Sequence, residues 1–170
     1  CTGDPSVIVA ILDEGIDVSH PDLKDNLWVN ENEIWRSNED NDGNGYAGDY
    51  HGYNFAAGHG VISTGGRYDT GHGTHVAGVI AAANNNGLGI SSIAGGNGSQ
   101  EGVKLMSCQI FSGSLAGTVL DEVRAIKYAA DNGAVVLQWS WGYISGAANP
   151  YDWTPQFSTD DQWKNSNVLE

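Results

Sequence analysis

The sequence predicts an α/β protein in three layers, with a central parallel sheet between helices. Three observations carry this expectation. VIVAIL at 7–12 and AVVL at 134–137 are continuous apolar runs without alternation, as expected of strands buried on both faces. Strand and helix patterns alternate along the chain, which is the order that builds parallel sheets. Asp13 and Ser140 stand at or just past the ends of two such strands, where open α/β sheets gather functional groups.

The elements follow in order. Val7–Leu12 reads as the first buried strand, ending at Asp13. Residues 14–25 are turn-rich, with His20-Pro21-Asp22, and residues 30–50 form a polar, acidic loop. His51–Asn54 leads into a short aromatic stretch, and 58–71 is a Gly-rich loop. From His75, VAGVIAAAN is small and apolar all round, as in a helix packed closely against other backbone. Val103–Phe111 reads as the second strand. Leu115–Asn132 is an amphipathic helix with Val119, Val123, Ile126 and Ala130 on one face and Gly133 as its stop. Ala134–Leu137 is the third buried strand, and 143–170 reads as irregular, with Pro150 and Pro155.

Composition narrows the function. The chain has 170 residues, about one domain, and 24 glycines. Its formal charge of −14, from 21 acidic against 7 basic residues, argues against nucleic acid, which needs clustered Lys and Arg. It suits calcium, solubility or a cationic partner better, and a solvated acidic surface accounts for most of it. No apolar run approaches the roughly 20 residues that span a bilayer. Cys1 and Cys108 are too few for a disulfide framework, and Cys108, inside KLMSCQIF, reads as a buried free thiol.

Two segments carry candidate chemistry. In DTGHGTHVAG, Asp69–Gly78, two histidines lie three residues apart among small residues. They admit three readings: a metal pair, a catalytic base beside a packing histidine, or a closely packed helix start. The metal reading has a His-x-x-His spacing with Gly and Thr between, and no Cys or Glu at zinc spacing. Asp13 ends a buried strand, where a carboxylate needs a partner; one use is to accept an imidazole N–H and fix its tautomer, another is to cap a turn. In the acidic loop, Asp40, Asp42 and Asn44 alternate, Gly45 allows a sharp turn, and Tyr46 and Asp49 follow. This is close to the first half of an EF-hand loop, with His51 where the bidentate Glu would stand and Asp49 as the late carboxylate. Calcium is the ion that many hard oxygen donors on a flexible loop select; a solvated acidic turn is the alternative.

AILDEGIDVSHPDL and DTGHGTHVAG resemble the aspartate and histidine signatures of the subtilisin-like serine peptidases, the subtilases. The first follows D-S/T-G-I/V-x-x-x-H-P-D-L, with Glu14 in place of Ser or Thr; the second contains H-G-T-H-V-A-G complete. VVLQWSWG resembles the family's strand ending in S-x-G. The resemblance implies a subtilisin-like fold and peptide-bond hydrolysis through an acyl-enzyme. It implies Asp13 as the orienting aspartate, His72 as the general base and His75 as a structural histidine. Ser140, Trp141 and Gly142 are implied as an edge that pairs with the substrate backbone, and Ser112-Gly113-Ser114 as the opposing edge. It supports calcium at Asp40, Asp42, Asn44, Tyr46 and Asp49, since some members carry a D-x-D-x-N-G-x-G insert before G-W/Y-N-F, as in His51–Phe55 here. It also implies a second calcium site from Asp22, Asn85 and carbonyls near Ala83, Leu88 and Ile90. Calcium and the family favour a secreted or cell-envelope location, with a peptide or protein as substrate.

The family's nucleophile motif, G-T-S-x-A-x-P, does not occur in the 170 residues, nor does G-x-S-x-G or the oxyanion segment A-A-G-N. The expectation is therefore one incomplete domain over 1–170: the amino-terminal half of a catalytic domain, without propeptide or nucleophile, inactive alone, and liable to homodimerise or exchange strands through an exposed edge. Two alternatives stand beside it: a non-catalytic binding module of the same fold, and a metal-dependent hydrolase using His72 and His75.

Overall fold

The computed structural model of the chain describes residues 2–66 and 69–141. Among them β1 (Ile8–Glu14), β2 (Gly52–Asn54), β3 (Lys104–Ser112) and β5 (Ala134–Gln138) form a parallel sheet in the order β2-β3-β1-β5. β4 (Leu115–Ala116) folds back antiparallel on the end of β3. Helices α1 (His72–Ala81) and α2 (Val119–Asp131) make the crossovers. The chain goes from β1 to β3 on one side and then crosses back to β5 on the other. The carboxyl end of β1 is thus a topological switch point, the position at which open α/β sheets place their ligands.

Alternation along β1 assigns the two faces. Val9 and Ile11 pack with Leu105, Ala77, Ala81, Leu23 and Leu27 in one buried cluster under α1. Ala10, Leu12, Met106 and Cys108 point the other way, all inaccessible to solvent, on the face that α2 covers. Cys108 is a free thiol, and burial pushes its pKa up.

Several sequence expectations shift. The first strand runs on to Glu14, so Asp13 lies within it. α1 begins at His72 rather than His75, and it ends at Ala81, where Ala82 turns extended. β2 is a strand where only an aromatic stretch was expected; its three residues are too few to show a period. The second helix starts at Val119, behind a Thr118–Asp121 capping box, because Leu115 and Ala116 are used in β4. Its buried face is Ala125, Tyr128 and Ala129, one residue round from the expected stripe, and Val119 and Val123 are exposed. Tyr128 decides this. Its ring meets Trp28, Tyr46 and Phe55 edge-on, its hydroxyl donates to buried Asp49 at 2.7 Å, and the alanines let the helix approach.

β5 departs most from expectation. Val135, Val136 and Leu137 are 71%, 45% and 41% exposed, where full burial was predicted. Among the described residues β5 has β1 on one side and no strand on the other. Nothing among those residues identifies a second copy of the chain as its partner. The expected irregular tail, 143–170, lies outside the described residues.

Candidate functional site

The carboxyl end of β1 meets the start of α1. His72 Nδ1 lies 2.8 Å from Asp13 Oδ1, across 59 residues of sequence. Asp13 is 3% exposed by its side chain and His72 43%. The same Oδ1 accepts the Glu14 amide at 2.7 Å, and Oδ2 is buried without a donor. A positive charge arising on His72 is thus placed against a carboxylate that little else solvates. With Nδ1 held, Nε2 is the nitrogen left for proton transfer.

Glu14 has a role that sequence reasoning missed. It is 8% exposed, and its carboxylate accepts the Thr70 amide at 2.8 Å, the His72 amide at 3.0 Å and the Thr70 hydroxyl at 3.1 Å. The N-cap residue of α1, Gly71, has φ +82° and supplies no side-chain cap. Glu14 therefore caps the helix from the end of β1, with its charge at the positive end of the helix dipole. Gly73 permits the approach: a Cβ there would stand 2.4 Å from the Glu14 carbonyl oxygen. The departure from Ser or Thr at position 14 was the available signal; its partner on α1 was not readable.

His75 is exposed on α1, not packed as the resemblance implied. His72 and His75 do not form a group of three potential metal ligands with any other residue among those described. Ser140 follows β5, two residues beyond its last paired position, Ile11↔Gln138. Its Oγ accepts from Gln138 Nε2 at 2.7 Å, and it is exposed. Trp141 is half-buried, and Gly142 lies outside the described residues. Ser112-Gly113-Ser114 makes the hairpin from β3 to β4 rather than a free edge, and Ser112 Oγ accepts from Asn54 at 2.9 Å.

The acidic loop gathers a different set from the expected one. Glu33, Asp42 and Asp49 bring carboxylate oxygens within 4.8 Å of one another, with Glu33 and Asp49 buried. Glu33 Oε1 accepts the Asn41 amide at 2.7 Å, while Oε2 is buried without a partner. Burial, then the charges of Asp42 and Glu33, raise the pKa of Asp49 against the lowering bonds from Tyr128 and Asn44. Three clustered carboxylates with an orphaned buried oxygen fit a hard divalent cation, which would offset both the repulsion and the desolvation. Asn44 belongs to this cluster through its amide, 3.1 Å from Asp42 and 3.0 Å from Asp49. Asp40 and Tyr46 do not. Asp40 is turned into its own loop, accepting the Asn44 and Gly45 amides, which with Gly45 foremost lower its pKa. Tyr46 packs its ring against Tyr53 and Tyr128. Glu33 was missed because it precedes the alternating motif.

At the implied second calcium site, Asp22 is buried and accepts the Asn86 side-chain amide at 2.6 Å and the Ile90 amide at 3.3 Å. Asn86 thus stands where Asn85 was expected. Asn85, at φ +62°, turns away and donates to the Asn97 carbonyl at 2.9 Å.

The profile of the Subtilase family matches residues 4–169. Subtilisin-like protease 1 of Plasmodium vivax is 34% identical over 137 residues, covering 79% of this chain and 20% of that protein. Halolysin of Haloferax mediterranei is 34% identical over 140 residues, covering 82% of this chain and 22% of that protein. The halolysin-like extracellular serine protease Nep of Natrialba magadii is 27% identical over 140 residues, with 82% and 21% covered. The chain thus spans only 20–22% of the length of these relatives. Among solved structures, the patellamide maturation protease PatA superposes with a TM-score of 0.53 at 22% identity, covering 88% of this chain and 42% of its own, a likeness of fold. A lanthipeptide protease superposes with a TM-score of 0.51 at 26% identity, covering 85% and 31%.

Proposed function

The chain belongs to the subtilase family, the subtilisin-like serine peptidases, and on that premise we propose that it carries the aspartate–histidine half of a calcium-stabilised serine endopeptidase. The observation that supports this most is the 2.8 Å contact of His72 Nδ1 with Asp13 at the carboxyl end of β1. Asp13 holds the imidazole in the tautomer that carries its proton on Nδ1. Nε2 takes the proton of a serine hydroxyl as its oxygen attacks the scissile carbonyl. The imidazolium then gives that proton to the leaving amine, and an acyl-enzyme remains for water to hydrolyse. Ser140 to Gly142 pair with the substrate backbone as an added strand.

In this reading Glu33, Asp42 and Asp49 hold calcium, which ties the acidic loop to α2 through Tyr128. Asp22 is the anchor of a second calcium site. Secretion or attachment to the cell envelope follows the same reading, supported by the extracellular relative from Natrialba magadii. No helix among the described residues is long and apolar enough to cross a membrane.

The 170 residues alone hydrolyse no peptide in this proposal, because loss of a triad member costs on the order of 10⁶ in turnover. The test is to express the source gene's whole reading frame and expose the folded product to a fluorophosphonate that labels activated serines. Labelling that is lost in His72→Ala supports the proposal. A folded, unlabelled product overturns it in favour of a binding module. Hydrolysis by the 170-residue chain, above its own His72→Ala control, overturns the inactivity.

A further inference from the structure

A cavity of about 770 Å³ opens between the turn at 18–27 and the segments 35–38, 47–51 and 58–62. Neither Asp13 nor His72 lines it. Its volume is that of a site for a small molecule or a short peptide segment, typically about 300–1,000 Å³. Three features set it apart from the rest of this acidic chain.

The first is the sign of its lining. The chain has 21 acidic residues, yet no carboxylate lines the cavity, while Lys24, Arg36, His51 and His59 do. The second is the state of its cations. Five Lys and Arg residues lie in the described regions: Lys24, Arg36, Lys104, Arg124 and Lys127. Lys104, Arg124 and Lys127 each pair with a carboxylate within three or four residues, at 2.9, 3.5 and 2.6 Å. Lys24 and Arg36 make no ion pair among the described residues, and both face this cavity. Where acidic side chains outnumber basic ones threefold, two cations in one hollow with no ion pair among the described residues are unexpected on a merely solvated surface.

The third feature is an aromatic wall. Trp35 is 50% exposed, with its ring centroid 5.0 Å from that of Tyr50 and 5.2 Å from that of His51. The Arg36 guanidinium carbon stands 5.5 Å from the Trp35 centroid, in range of a cation–π contact. Arg36 has φ +63°, a left-handed conformation that residues other than glycine seldom adopt. Such a conformation persists where the surroundings hold it, and here it carries the guanidinium over the ring.

Two cations in one hollow select an anion, and a half-open aromatic wall selects a flat apolar body. We propose that this cavity binds an aromatic carboxylate, either free or as neighbouring acidic and aromatic side chains of a peptide. Lys24 and Arg36 take the carboxylate, and Trp35 stacks against the ring. The inference does not rest on the peptidase reading, since it uses neither Asp13 nor His72.

The test is calorimetric titration of the 170-residue chain in calcium-containing buffer at low salt. The probes are N-acetyltryptophan and its amide, and the blocked peptide acetyl-Asp-Trp-Asp-amide with its Asn counterpart. Each exposed cation is expected to contribute about threefold and the pair about tenfold, so the carboxylate probe binds about tenfold tighter than its neutral match. Lys24→Gln and Arg36→Gln each remove part of that preference, together they abolish it, and Lys127→Gln leaves it intact. Binding of N-acetyltryptophan alone assigns the site to a small carboxylate; binding of the peptide assigns it to an acidic–aromatic segment. The proposal is overturned if no probe binds, if neutral probes bind as tightly as charged ones, or if the double variant, folded by circular dichroism, keeps the preference.

Discussion

Replacing Glu14 by Ala tests how the start of α1 is held. The carboxylate accepts two backbone amides, at 2.8 and 3.0 Å, and one hydroxyl at 3.1 Å. The N-cap residue, Gly71, has no side chain to cap the helix, and Asp69 Oδ1 accepts only the Gly71 amide, at 3.0 Å. A hydrogen bond to a charged group contributes roughly 1.5–3 kcal/mol, and loss of an N-cap side chain costs about 0.5–2 kcal/mol. Two effects reduce the sum. Removing a nearly buried carboxylate recovers its desolvation cost, and water can reach part of the freed helix end. The net expectation is a loss of about 2 kcal/mol, or ~4–8 °C in melting temperature for a domain of this size. Glu14→Gln keeps one neutral acceptor, so about half that loss is expected. The assay is urea unfolding at pH 7 in saturating calcium, with the slope unchanged and the midpoint shifted. If Glu14→Ala falls within about 0.5 kcal/mol of the parent, or if Gln and Ala lose equally, the carboxylate is not the cap and the reasoning fails.

Three further outcomes are expected. Asp13→Ala removes the acceptor at Nδ1, so long-range ¹H–¹⁵N spectra should show His72 leave its Nδ1–H tautomer; an unchanged pattern would mean that Asp13 does not orient the ring. Without metal, the pKa of Asp49 is raised from about 3.8 by burial, so the folded state holds this proton more tightly than the unfolded chain does. The group's contribution to stability is then full below 3.8 and is lost as the pH rises through the raised value, whereas calcium displaces the proton and makes its own stabilisation grow over the same window. Melts from pH 4 upward, with calcium and with chelator, should diverge as pH rises; Asp49→Asn and Glu33→Gln should shrink the divergence, and parallel curves would refute the metal centre. Finally, Cys108 is fully buried with its thiol pKa raised, so it should resist alkylation in the folded chain and react only after unfolding; peptide mapping after a timed pulse checks this.

What the sequence determined by itself has a local physical basis. A strand buried on both faces needs consecutive apolar residues, so Val7–Leu12 and the parallel α/β class were legible. The glycines around His72 and the carboxylate closing a buried strand were legible for the same reason, since each is costly without a specific use. The tertiary structure decided what depends on distant partners. Apolar spacing along α2 identified a stripe, but Tyr128 had its hydrogen-bond partner Asp49 on the far loop, and that turned another face inward. Glu14 became a helix cap because Gly73 lets two backbones nearly touch. Glu33 entered the acidic centre, and Asp40 left it, because the loop closes on itself: an alternating motif counts ligands along the chain, whereas a cation selects those whose oxygens converge in space. The exposure of β5 was equally unreadable, since apolarity records that a strand seeks cover and not whether a neighbour supplies it.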